Sequence, residues 1–212
     1  MIDIEYYGGN AVSITTNEKR LLIDGNRSVF KDKEIKSKFD VVLATEDRFM
    51  PQTVTDNQVR LSGPGEYEVG PFWITGIAAR RHIDSESEPR QSTIYRIVVD
   101  GVRIAVVGNI EATLDEQQQE EIGVIDLLFV PVGGNGYTLD STSAAQVVAQ
   151  IDPKVIVPVH YSDASLSYEV VQDALDPFVQ KLNAPVEEVS KLKIKNAALP
   201  ASLTIYKLDK IS

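Results

Sequence analysis

The chain has 212 residues, of which 43% are hydrophobic and 25% charged, proportions that support a folded core. Its formal charge of −10 repels phosphate backbones, which argues against nucleic acid and anionic membrane surfaces as partners. With no cysteine, disulfides, thiolate catalysis and thiolate metal sites are excluded.

The first half reads as short strands separated by turns. Strands are predicted over residues 2–6, 11–15, 20–23, 41–44, 58–61, 66–69, 72–77, 92–99 and 102–107. Asp100-Gly101, between two β-branched runs, is a strong hairpin signal. The second half alternates helix and strand. Thr113 with Glu116 reads as a capping box for a helix ending near Gly123, followed by a buried strand over 127–130. Asp140 or Ser141 caps a helix running to about Ile151, and a second buried strand covers 155–159. Asp176-Pro177 reads as a cap and first helical position for a helix ending near Asn183, and a closing strand covers 202–207. Hairpins first and βα units later predict a mixed α/β fold, with two sheets packed together and helices on their outer faces. The absence of repeats and linkers predicts one domain over 1–212. The segment "MIDIEYYGG" has neither a basic flank nor a long apolar run, so the expected location is cytoplasmic.

Several stretches taken in order resemble one family. "IEYYGGNAVSI", "RLLIDG", "SGPGEYEVGPFWITGI", "VVGNIEATLDEQQ", "IDLLFVPVGGNGYTLD" and "PKVIVPVHYSD" are similar to successive signatures of the metallo-β-lactamase superfamily. They are most similar to its ascorbate-phosphate lactonase-like branch. The resemblance implies an αββα sandwich of two mixed sheets. It also implies a site of one or two zinc ions that acidify a bound water.

The residues at the implied ligand positions depart from the family. The His-x-His-x-Asp-His motif falls on "EDRFMP", so that Glu46 and Arg48 take the two histidine positions and Met50 and Pro51 the Asp-His pair. A further histidine falls on Gly9, the bridging aspartate on Asn109, and another histidine near Arg81, with His82 one place away. His160 in "PVHY" alone matches. With only His82 and His160 in the chain, a dinuclear site built mainly from imidazoles is excluded by count. Arg48 would also repel a cation. The expectation is therefore no cofactor, with a single divalent cation left open.

Each candidate has two readings. His160 is either an inherited histidine bonded to Asn109 or Glu46, or an acid/base group and the one weak catalytic candidate. Glu46 and Arg48 either fill the emptied space as an ion pair, or Arg48 joins Arg80 and Arg81 as a fork for a phosphate or carboxylate. His82, beside the acidic run "DSESE", reads as a surface histidine. "GGNGYTLD" is either a turn or an anion site at a helix start. The expected function is a non-catalytic binding, regulatory or scaffold protein, with an unknown small-molecule ligand and self-association as open partners. The alternative is a divergent metal-dependent hydrolase of lactones or phosphoesters using one weakly held cation.

Overall fold

The computed structural model describes residues 1–81, 91–195 and 197–211. Among these, the chain runs through β1 (Ile2–Gly8), β2 (Ala11–Thr15), β3 (Arg20–Ile23), β4 (Val41–Ala44), β5 (Val59–Ser62), β6 (Gly65–Val69) and β7 (Phe72–Ala79). It continues with β8 (Ser92–Val99), β9 (Val102–Val106), α1 (Glu116–Ile122), β10 (Leu127–Pro131), α2 (Ser141–Ile151) and β11 (Val155–Val159). α3 (Asp176–Leu182), β12 (Val186–Val189), β13 (Leu192–Ile194) and β14 (Thr204–Leu208) complete it. No helix among the described residues is long and apolar enough to cross a membrane.

The expected two mixed sheets form. The first has the order β13-β1-β2-β3-β4-β5, and the second β12-β14-β11-β10-β9-β8-β7-β6. Antiparallel hairpins and parallel crossovers meet inside each sheet, as the change of rhythm along the sequence predicts. The hairpin turn at Asp100-Gly101 has positive φ at both residues, which matches the twist of the flanking strands.

Alternate residues of the strands point to opposite faces, so each sheet builds two apolar surfaces. Ile4, Val12, Ile23 and Leu43 of the first sheet meet Ile97, Ile104, Phe129 and Val157 of the second in the central core. The outer face of the second sheet is covered by the helices, through Ile122, Ala144, Val147 and Phe178. The outer face of the first sheet is covered differently. Phe39 packs there with Tyr7, Leu22 and Val42, and irregular chain supplies Ile35.

Two sequence-based element starts shift. The capping box of α1 is Asp115 with Gln118, both halves formed, rather than Thr113 with Glu116. α3 begins at Asp176 itself, and the residue before it, Leu175, makes no side-chain cap. β12 and β13 lie outside every predicted segment, because "VEEV" is mostly exposed and "LKI" is too short to show alternation.

Candidate functional site

The carboxyl ends of β4, β9 and β11 converge at one edge of the sandwich, and their first residues beyond the strands build the site. Thr45 is held there from three sides. Its N–H and hydroxyl each donate to Asp24 at 2.7 Å, and its carbonyl accepts from the Thr93 N–H at 2.8 Å. The Tyr95 hydroxyl adds a bond to the Ala44 carbonyl at 3.1 Å, so the end of β4 is tied across to β8 of the other sheet. Gly108 sits at φ +62 against Thr45, and a Cβ there would come within 2.8 Å of it. Glycine is therefore needed for Asn109 to approach the site.

Glu46 lies at the centre, 4% exposed. Its Oε1 accepts from Asn109 Nδ2 at 3.0 Å and from the Arg48 guanidinium at 3.3 Å. Arg48 Nε stands 2.9 Å and Arg81 Nη1 3.7 Å from Oε2. The Arg48 N–H is not aimed at that oxygen, so both Glu46 Oε2 and Arg48 Nε are buried without a hydrogen bond, as is Asn109 Oδ1. A carboxylate facing two guanidinium groups thus occupies the position where the resemblance places histidines. Arg48 is further fixed between two rings, 4.5 Å from the centroid of Phe49 and 4.7 Å from that of Tyr137, a cation–π sandwich. Its outer edge reaches Glu169 at 3.5 Å.

His160 is 1% exposed and held in the left-handed region by the bond from its N–H to the Gly9 carbonyl at 2.8 Å. Its Nδ1 meets Asn10 Oδ1 at 3.0 Å. Phe30, Tyr137 and Tyr168 surround the ring at centroid distances of 5.4, 6.0 and 5.3 Å. Burial, with a smaller push from Arg48, lowers its pKa to about 3. The imidazole is neutral near pH 7, and so weak a base is poorly matched to proton transfer there. Its partner is Asn10 rather than the expected Asn109 or Glu46.

Burial works the other way on Asp24, raising its pKa to about 7 against the two bonds from Thr45. A cavity of about 370 Å³ opens beside Glu46, bordered by Asp47, Arg48, Ser62, Arg81 and Thr93. Ser62 donates its hydroxyl to Asp47 at the rim.

The other sequence candidates separate. Arg80 does not join Arg48 and Arg81. It lines a different hollow of about 190 Å³ with Glu111 and Gln118, because neighbours on extended chain point to opposite sides. Met50 packs with the outer cluster of the first sheet. Pro51 lies against Gly25, where a Cβ would be 3.0 Å from its ring. Gly9 cannot carry a side chain, since a Cβ at its φ of +58 would come within 2.3 Å of Phe30, whose ring fills that volume. His82 and the run "DSESE" lie outside the described residues. The loop before α2 offers no anion site at its helix start, because Asp140 already accepts from Thr142 N and Ser143 N at 2.9 and 2.7 Å. That loop contributes Tyr137 instead. Asn10, Phe30, Phe49, Tyr137 and Tyr168 were not legible as site residues, since no periodicity marks a ring that packs on one guanidinium or imidazole.

Among the described residues, no group of three or more His, Asp or Glu side chains is placed to hold a metal ion. The residues do not fit a histidine-rich pair of ions. What remains at that position is oxygen: Glu46 Oε2 and Asn109 Oδ1.

The profile of the Beta-lactamase superfamily domain matches residues 3–160. A UPF0173 metal-dependent hydrolase of Lysinibacillus sphaericus is 24% identical over 198 residues, 76% of this chain and 86% of that protein. One from Bacillus velezensis is 23% identical over 223 residues, 88% of this chain and 95% of that protein. Among solved structures, a candidate Zn-dependent hydrolase of the metallo-β-lactamase superfamily from Thermotoga maritima superposes with a TM-score of 0.77 at 22% identity, covering 98% of this chain and 99% of the other. These relatives overturn the expectation of no cofactor, since they are named for dependence on a metal. They also favour the hydrolase alternative over the non-catalytic reading. Over most of its length, and in the fold that length adopts, the chain belongs to the metallo-β-lactamase superfamily.

Proposed function

We propose that this chain is a divergent metal-dependent hydrolase of small anionic substrates, phosphoesters or acidic lactones, using one oxygen-bound divalent cation. The observation that carries the reading is the pair of buried oxygens without hydrogen-bond partners, Glu46 Oε2 and Asn109 Oδ1, on the two side chains joined by the Asn109 Nδ2 to Glu46 Oε1 bond. Glu46 Oε2 is ion-paired with Arg48 and Arg81, so a cation there would take their place, while Asn109 Oδ1 has no partner to give up. Oxygen donors favour magnesium or manganese over zinc. Bound there, the ion would acidify a water.

The rest of the chemistry belongs to the chain. Arg48 and Arg81 border the cavity and present guanidinium donors to a phosphate or carboxylate. Phe49 and Tyr137 hold Arg48 in place. Glu169 gives Arg48 a second carboxylate when a cation takes Glu46 Oε2.

The test uses metal-stripped protein titrated with Mn²⁺, following the melting temperature and the hydrolysis of p-nitrophenyl phosphate and of γ-butyrolactone-γ-carboxylate. The expected result is a saturable rise in melting temperature, turnover that needs the ion, and loss of both in Glu46→Gln. Asn109→Asp, which adds a second carboxylate, tightens Mn²⁺. Turnover in excess chelator, or no saturable response to Mn²⁺, overturns the reading.

A further inference from the structure

A second cavity, of about 840 Å³, lies between the end of β1, the irregular chain after Phe30 and the carboxyl-terminal residues. Its volume is that of a small-molecule site. It does not share a lining residue with the Glu46 cavity.

The inner wall is an unusual ion network. Arg27 is 3% exposed and pairs with Asp32, and the same carboxylate lies 3.1 Å from Lys210 Nζ. One carboxylate thus faces a guanidinium and an ammonium. Arg27 Nε is left buried with no hydrogen-bond partner. Lys210 donates to Ser165 Oγ at 2.6 Å and lies 4.0 Å from Asp163.

The rim is cationic as well. Arg20, Lys33 and Lys36 border the opening, on a chain whose net charge is −10. Arg20 is engaged, donating to the Lys38 carbonyl at 3.2 Å and lying 4.7 Å from the Phe39 ring centroid, whereas the ammonium groups of Lys33 and Lys36 form no ion pair among the described residues. The acids around the cavity are already engaged: Glu5 holds Lys191 at 2.6 Å, Glu34 accepts from Thr53 at 3.0 Å, and Asp163 accepts from Ser165 at 2.7 Å. Between wall and rim, Tyr7, Ile35 and Ile211 supply an apolar surface. The two lysines over an apolar floor match a ligand with an acidic head and an apolar body.

We propose that this cavity is a second ligand site, for a small organic anion whose phosphate or carboxylate pairs with Lys33 and Lys36 and whose apolar part lies on Tyr7, Ile35 and Ile211. Phenyl phosphate is the probe, with inorganic phosphate as its head-group control, followed by amide shifts in ¹⁵N-labelled protein. Three proteins are compared: wild type, the double variant Lys33→Ala/Lys36→Ala, and Arg48→Ala, which disables the Glu46 cleft. The substituted lysines are exposed, so the double variant keeps the fold. The expected result is saturable shifts at Tyr7, Ile35 and Ile211 in wild type and Arg48→Ala. Binding is roughly tenfold weaker in the double variant, and inorganic phosphate binds more weakly than phenyl phosphate. The proposal fails if no saturable shift appears at these residues, if the double variant binds as well as wild type, or if Arg48→Ala abolishes the response.

Discussion

Burial disfavours the charged form of any titratable group, and at Asp24 and His160 that one cause has opposite consequences for stability. Asp24 moves from 3.8 to about 7 on folding, so the folded chain keeps a proton that the unfolded chain releases between those values. Its contribution is present at low pH and is lost as pH rises through that window. His160 moves from 6.5 to about 3, so the unfolded chain takes up a proton that the folded chain refuses. Its contribution is present above 6.5 and is lost as pH falls. Each slope approaches about 1.4 kcal/mol per pH unit, and over the shared window they cancel. Asp24→Asn removes one of them. The stability of wild type minus that of Asp24→Asn, from urea unfolding, should therefore rise by about 2 kcal/mol between about pH 7 and about pH 5. Parallel profiles would show that Asp24 is ionised throughout. At this scale the sequence was legible where side-chain identity alone decides. The count of two histidines excluded an imidazole cluster, and Glu46, Arg48, Asn109 and His160 sit around the site. Partners were not legible, because Asn10 and His160 meet across 150 positions and only the fold brings them together.

Elements begin and end where side chains satisfy backbone groups that the helix or sheet leaves free, and α1 depends on this more than longer helices do. It has seven residues, and Asp115 accepts from Gln118 N at 2.8 Å while Gln118 Oε1 accepts from Asp115 N at 3.0 Å. Gln118 also donates to the Ala78 carbonyl at 2.9 Å, which fastens the helix start to β7. Asp115→Ala should cost about 1 kcal/mol, lowering the melting temperature by about 2–4 °C in a thermal scan. A larger drop would mean that the β7 tether goes with the cap. The local sequence offers two boxes with the same spacing, Thr113 with Glu116 and Asp115 with Gln118. The helix that forms uses the second, with Gln118 and Ile122 buried. Spacing alone does not choose between them. The apolar runs of β10 and β11 needed no such arbitration, since burial on both faces makes them apolar throughout.

The two ends of the chain close the molecule. Ile2 pairs with Ile194 across β1 and β13, Ile211 N–H donates to the Tyr6 carbonyl at 2.8 Å, and the amino terminus lies 2.7 Å from Asp100. β1 is therefore flanked on one side by β2, its neighbour in sequence, and on the other by residues near the opposite terminus. The core between the sheets draws on residues from Ile2 to Leu208, so neither half of the sequence owns an apolar face it could bury alone. The site shares this dependence: Glu46 comes from the first sheet's last parallel crossover, Asn109 and His160 from the second sheet's strand ends. Loss of either sheet removes the packing that holds the other and separates Glu46 from Asn109 at the same time. Unfolding in urea should accordingly be a single transition, with far-ultraviolet and near-ultraviolet circular dichroism coinciding in midpoint and slope. A near-ultraviolet change that precedes the far-ultraviolet one would mean that one sheet can keep its strands after the interface is lost. In that case the cavity beside Glu46 would open before the fold does.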